Sequence, residues 1–124
     1  MKETRTTTAR LVMGDDDILR IYINEGAVLD LEDARNHYES TQRLSGNRKI
    51  LVLVYGNVNY RFTRSAQKFA ATQAHTRLAT AIYTHKLSVR WMAWLYRLFF
   101  KPATPIRLFD SEEKALAWLK TFQK

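Results

Sequence analysis

The sequence predicts one α/β domain in which a β-hairpin is followed by alternating helices and mostly parallel strands, in the order β-β-α-β-α-β-α-β-α. Three observations predict it. Lys49-Ile50-Leu51-Val52-Leu53-Val54-Tyr55-Gly56 is a nearly unbroken apolar run, rich in β-branched residues and closed by glycine. That is the pattern of a strand covered on both faces, at the centre of a sheet with helices packed on it. Two shorter strand-like runs precede it across the acidic turn Gly14-Asp15-Asp16-Asp17. After it, strand-like and helix-like stretches alternate, which implies parallel pairing through right-handed crossovers.

Residues 1–4 read as a disordered start. Thr6 to Met13 favours a strand through its threonines and β-branched residues, and Ile18 to Ile23 returns as its hairpin partner. The acidic turn between them lacks the alternating oxygen ligands and closing glutamate of a calcium loop, so it reads as a solvated turn. Asn24-Glu25-Gly26 breaks the second strand. Asp30 is the N-cap of a helix from Leu31 to about Leu44, with Glu32 and Asp33 in its first turn. Leu31, Ala34, Tyr38 and Leu44 mark its buried side, with Thr41 interrupting the stripe. Gly46 supplies a left-handed C-terminal residue.

The central strand Lys49–Tyr55 follows, then the loop Asn57 to Phe62. Thr63 caps a helix running to about Ala74, with Ala66, Phe69, Ala70 and Gln73 at core spacing. Leu78 to Tyr83 is a further buried strand. His85 to Lys101 is an aromatic helix with two apolar faces, ended by Pro102 and Pro105. Ile106 to Phe109 is the last strand. Asp110 and Glu113 fit a capping box for a final helix over 112–122, with Ser111 as the alternative cap.

The bulk numbers set the class. The chain has 124 residues, 46% hydrophobic and 26% charged, which is one ordinary globular domain over 1–124 with room for a core. No internal repeat or linker appears. The absence of cysteine excludes disulfides, thiolate zinc sites and cysteine nucleophiles. With no signal-peptide pattern, the expected location is the cytoplasm, or the periphery of a membrane. The net charge of +8 is unevenly spread: acids cluster in the first third, and none occurs between Glu39 and Asp110. A one-signed field of this kind suits an anionic partner or an acidic protein, or serves only solubility.

The opening hairpin, the run Lys49-Ile-Leu-Val-Leu-Val-Tyr-Gly-Asn-Val, the helix near Thr63 and the ending Pro105-Ile-Arg-Leu-Phe-Asp-Ser-Glu-Glu-Lys-Ala-Leu-Ala-Trp-Leu119 together resemble the STAS (anti-sigma-factor-antagonist) fold and the looser STAS/SEC14-like group of small bacterial proteins. The resemblance covers nearly the whole chain. It implies a non-enzymatic regulatory or scaffold domain that works through protein contacts and needs no cofactor. In the regulatory members the loop after the central strand carries an Asp-Ser-Ser-Gly-like motif, and a kinase phosphorylates a serine at the helix start. The matching stretch here is Tyr60-Arg61-Phe62-Thr63-Arg64-Ser65-Ala66. It keeps two hydroxyls, lacks the aspartate and glycine, and adds two arginines. Thr63 reads as an N-cap.

Two residue sets are candidate sites. Arg61, Thr63, Arg64 and Ser65 gather hydroxyls, guanidiniums and free N–H groups at one helix start, a possible anion site. Trp91, Trp94, Tyr96, Phe99 and Phe100 give the aromatic helix more apolar surface than one buried face requires. That helix is interrupted by Arg90 and Arg97 and is too short to span a bilayer. It reads as core plus a self-association contact, as a lipid-interface element, or as a pocket wall. The alternative function is therefore a lipid- or small-anion-binding module. Nucleic acid ranks third, because the aromatics sit at core spacing and not between arginines on a strand surface. His37, His75 and His85 have no ligand spacing, which argues against a metal site. No base–nucleophile pattern argues for catalysis.

Overall fold

In the computed structural model, residues 2–73, 76–85 and 104–123 are described. Strands β1 (Lys2–Arg5), β2 (Ala9–Met13), β3 (Ile18–Ile23), β5 (Ile50–Tyr55), β7 (Arg77–Tyr83) and β8 (Ile106–Phe109) form a six-stranded sheet in that order. β1, β2 and β3 pair antiparallel, whereas β3, β5, β7 and β8 pair parallel. Two short strands, β4 (Ala27–Leu29) and β6 (Tyr60–Phe62), form a separate parallel pair. The helices are α1 (Leu31–Ser45), α2 (Arg64–Thr72) and α3 (Glu112–Lys120).

β5 is the central strand that its composition predicts. Alternate side chains of a strand point to opposite faces, so a run without polar residues must be covered twice. Ile50 and Val52 enter a core with Leu11, Leu19, Leu29 and Leu44, beside α1. Leu51 and Leu53 enter a second core with Ile18, Ala79, Ala81, Ala115 and Leu119, beneath α3. Val52 and Leu53 have no solvent exposure, and each such side chain contributes about 1.5–3 kcal/mol of burial. The alanines of β7 let α3 lie close to the sheet.

α1 starts at Asp30, whose carboxylate accepts from Asp33 N–H at 2.9 Å while Asp33 accepts from Asp30 N–H at 3.0 Å. It ends at Gly46, whose φ of 63° is the left-handed geometry that glycine tolerates. α3 uses Ser111 as its cap, accepting from Lys114 N–H, so the alternative cap is the one realised; the helix stops at Lys120, short of Phe122.

Several expectations need correction. Residues 2–5 form β1, an edge strand along β2 with register Lys2↔Met13 to Arg5↔Arg10. Its side chains are mostly exposed, so no apolar alternation announces it; its order comes from the ladder that β2 offers and from Glu3 reaching Arg5 and Arg10 at 3.4 and 3.7 Å. Ala27–Leu29, assigned to no element, and Tyr60–Phe62, read as a loop, pair across 30 residues of intervening chain, a partnership that neither segment reveals locally. Thr41 lies inside the buried face of α1, because its hydroxyl donates to His37 C=O at 2.8 Å and so satisfies itself. α2 stops at Thr72, with Gln73 as its C-cap, and Ala70 faces solvent. The expected helix over 85–101 lies outside the described residues, apart from His85.

His37 ties the segment after β1 to α1. Its Nε2 lies 3.2 Å from Thr6 Oγ1 and 2.9 Å from Thr8 Oγ1. Burial holds its pKa down, from the usual 6.5 to about 4; nearby Asp33 opposes the shift and Arg77 adds to it. The unfolded chain therefore takes up this proton first as pH falls. The stability that neutral His37 contributes is full above about pH 6.5 and is lost as pH drops toward about 4. His37→Gln, which keeps a side chain able to reach the threonines, is expected to flatten the fall in urea midpoint between those two pH values; parallel wild-type and variant curves would refute the assignment.

Candidate functional site

The most distinctive surface arises where β4 and β6 each run into a helix. Leu29, fully buried, and Phe62, packed on the same core, pin the ends of the two strands side by side. The next residue in each is an N-cap: Asp30 for α1 and Thr63 for α2. Thr63 N–H donates to Leu29 C=O at 2.9 Å. Upstream, Glu25 accepts from Asn59 N–H at 2.6 Å and from Asn59 Nδ2 at 3.0 Å, while Gly26 N–H donates to Asn59 C=O. Two helix N-termini are thereby held abreast, and Tyr38 meets Phe69 edge-on at 6.0 Å between the helices.

Their charges are opposite. α1 begins with Asp30, Glu32 and Asp33, which suit the positive end of a helix dipole. α2 has no acid in its first turn and is flanked by Arg61 and Arg64. An open groove of about 510 Å³ runs between them, lined by Asp30, Leu31, Glu32, Arg35, Asn36, Glu39 and Ser65. Its walls carry three carboxylates and one guanidinium, and the α2 cations stand beside it. Among the described residues, Arg61, Arg64 and Lys68 form no ion pair.

The structure therefore brings Arg61, Thr63, Arg64 and Ser65 to one place. Thr63 Oγ1 accepts from Ala66 N–H at 3.3 Å and sits 3.2 Å from Ser65 Oγ, so Thr63 acts as the cap. Arg61, Arg64 and Ser65 are exposed. The acidic bank from α1 is missing from the expected site, because its proximity follows from the β4–β6 pairing. The second expected set, Trp91, Trp94, Tyr96, Phe99 and Phe100, lies outside the described residues.

The end of the central strand is closed by hydrogen bonds. Gly56 N–H donates to Tyr83 C=O at 2.8 Å, buried Thr84 donates through its hydroxyl to Gly56 C=O at 3.0 Å, and His85 N–H donates to Asn57 Oδ1 at 2.6 Å. On the α3 side of the sheet, cross-strand partners Tyr22 and Tyr55 stack at 4.3 Å with Arg10 over Tyr22 at 4.6 Å. Burial first, then Tyr22 and Glu112, push the Tyr55 hydroxyl up in pKa. A second open groove of about 520 Å³ lies beside this row, where Arg20 clamps Asp16 through contacts of 2.9 and 2.8 Å. That bond holds the Asp16 carboxyl below its usual range. A Cβ on Gly14 would run into the Arg20 guanidinium and the Asp16 carboxylate, so a larger residue there would make the clamp shift. Both grooves are surface features whose linings contain no histidine. Among the described residues, no cluster of three His, Cys, Asp or Glu could hold a metal ion, and no helix is long and apolar enough to cross a membrane.

Residues 12–123 match a family described as a domain of unknown function, DUF7793. A search of curated proteins finds no match. Among solved structures, a DUF3478-family protein with a SpoIIAA-like fold from Shewanella loihica PV-4 superposes with a TM-score of 0.65 at 18% identity, covering 90% of this chain and 91% of that one. A protein of unknown function from Arthrobacter sp. FB24 aligns at 21% identity over 88% of this chain and 96% of its own, with a TM-score of 0.30 that carries no inference about fold. The architecture is thus SpoIIAA-like, as the resemblance of the sequence to the STAS group implies.

The cap and its neighbour differ in what their loss costs. Thr63→Ala is expected to lower stability by about 1 kcal/mol through the lost N-cap, whereas exposed Ser65→Ala changes it by less than about 0.5 kcal/mol. Denaturant titration of both variants checks this, and equal losses would contradict the division of roles.

Proposed function

We propose a function for this chain, which belongs to the DUF7793 family: it is a non-enzymatic regulatory or scaffold domain that acts through protein contacts. The observation that carries the reading is the paired helix start. It is held by backbone bonds and by the Glu25 clamp, it is open to solvent, and it carries both signs of charge within one groove. Charges arranged this way select partners by complementarity and orient them, more than they add raw affinity. A substrate pocket, by contrast, encloses its ligand and converges a few polar groups upon it. The SpoIIAA-like fold is compatible with such a role.

A second reading, binding of an anionic lipid or small anion by Arg61, Thr63, Arg64 and Ser65, is favoured by three exposed cations at and beside the start of α2, Arg61, Arg64 and Lys68, which form no ion pair among the described residues. The carboxylates of the adjoining groove oppose it, since they already place negative charge there. One comparison separates the two. With a photo-crosslinking residue at position 65 of the full chain, the protein reading predicts discrete adducts identifiable by mass spectrometry and lost on Arg61→Glu/Arg64→Glu. Absence of protein adducts, together with salt-sensitive flotation on phosphatidylglycerol vesicles that the same double change abolishes, would establish the other.

A further inference from the structure

The groove between α1 and α2 has a charge layout that matches itself. On its α1 bank, Glu32 and Glu39 are exposed and make no ion pair among the described residues; on the α2 side, Arg64 and Lys68 stand four residues apart on one exposed stripe, also unpaired. The helices hold these banks apart, because Tyr38 and Phe69 fill the space between them and Ser65 faces the groove. The opposite charges thus lie side by side without meeting. Arg35, on the groove wall, moderates the acidic bank without reversing it.

We propose that this face docks on a second copy of the chain about a two-fold axis running along the groove. Symmetry dictates the axis. Rotation about a line along the groove keeps the helices running the same way and exchanges left with right, so the acidic bank of each copy faces the basic stripe of the other. A two-fold axis across the groove would set acid on acid. In the favoured arrangement Glu32 and Glu39 of each copy meet Arg64 and Lys68 of the other, and the set is made twice, as an isologous interface requires. The occupant is a second copy because the same face supplies both halves of the complementarity.

The size of the face sets the strength. Helices of 15 and 9 residues lying abreast cover on the order of 22 Å by 20 Å, roughly half of the about 800 Å² per partner that a standard stable interface buries. Exposed ion pairs are also screened by salt. The dimer is therefore weak, forms at high protein concentration and dissociates as salt rises. This inference rests on the reading of the domain as a protein-contact module, and names one of its contacts.

Sedimentation equilibrium of the full chain at about 50 mM and about 500 mM salt tests it, with the dimer constant expected to weaken about tenfold or more across that range. Glu32→Lys/Glu39→Lys and Arg64→Glu/Lys68→Glu are each expected to be monomeric at the low salt, with circular dichroism confirming that both fold. Mixed in equal amounts they should dimerise again, because the cations of one then face the glutamates of the other in both halves of the interface. A wild-type chain monomeric at low salt, a dimer indifferent to either swap, or failure of the folded variants to complement each other would overturn the proposal. A dimer that ignores the swaps would place self-association elsewhere and leave the broader protein-contact reading standing.

Discussion

β5 pairs with parallel neighbours on both sides while its side chains enter two separate cores. Ile50 and Val52 pack toward α1, and Leu51 and Leu53 pack beneath α3. The register of a strand buried on both faces is tightly determined, since a slip by one residue would exchange the two sets of side chains. β3 and β7 inherit their positions from it. The small residues Ala79 and Ala81 keep the α3 side thin, whereas the α1 side takes the larger Leu11, Leu19 and Leu44.

The paired helix starts depend on that first core. Leu29 and Phe62, with Ala27 and Tyr60 two residues before them, are the inward residues of β4 and β6, and all pack on the cluster that contains Ile50 and Val52. Once they are buried, Asp30 and Thr63 must emerge side by side, and the two helices begin abreast. Parallel helix ends concentrate positive potential, and Glu32 and Asp33 in the first turn of α1 answer it there, whereas α2 has no acid in its first turn. Among the described residues, Arg61 at the end of β6 and Arg64 and Lys68 on α2 form no ion pair.

The other face of the sheet behaves differently. There the polar groups satisfy one another: Arg20 is bound to Asp16, Arg10 lies over Tyr22, and Tyr22 stacks on Tyr55. Gln123, just beyond α3, donates to Asp16 C=O at 2.6 Å and ties the end of the chain to the β2–β3 turn. Partly buried ion pairs of this kind fix geometry more than they add stability.

The amino-acid order by itself determined the central strand, the hairpin, the three described helices and the caps of the first two, because each is written in short-range terms; for α3 it left Asp110 and Ser111 to choose between. β-branched density marks β5, and the αL glycine at Gly46 and the oxygen-bearing caps Asp30 and Thr63 mark where helices stop and start. The cationic half of the candidate surface was equally legible, since Arg61 and Arg64 sit within one helix start. Only the tertiary structure decided the rest. β1 depends on a ladder donated by β2, β4 and β6 recognise each other across α1 and β5, and Thr41 is buried because a local hydroxyl bond makes that tolerable. The acidic bank beside Ser65 belongs to the same class: a pairing of two three-residue strands carries no periodicity to read, yet it places carboxylates from the first third of the chain beside arginines from the middle.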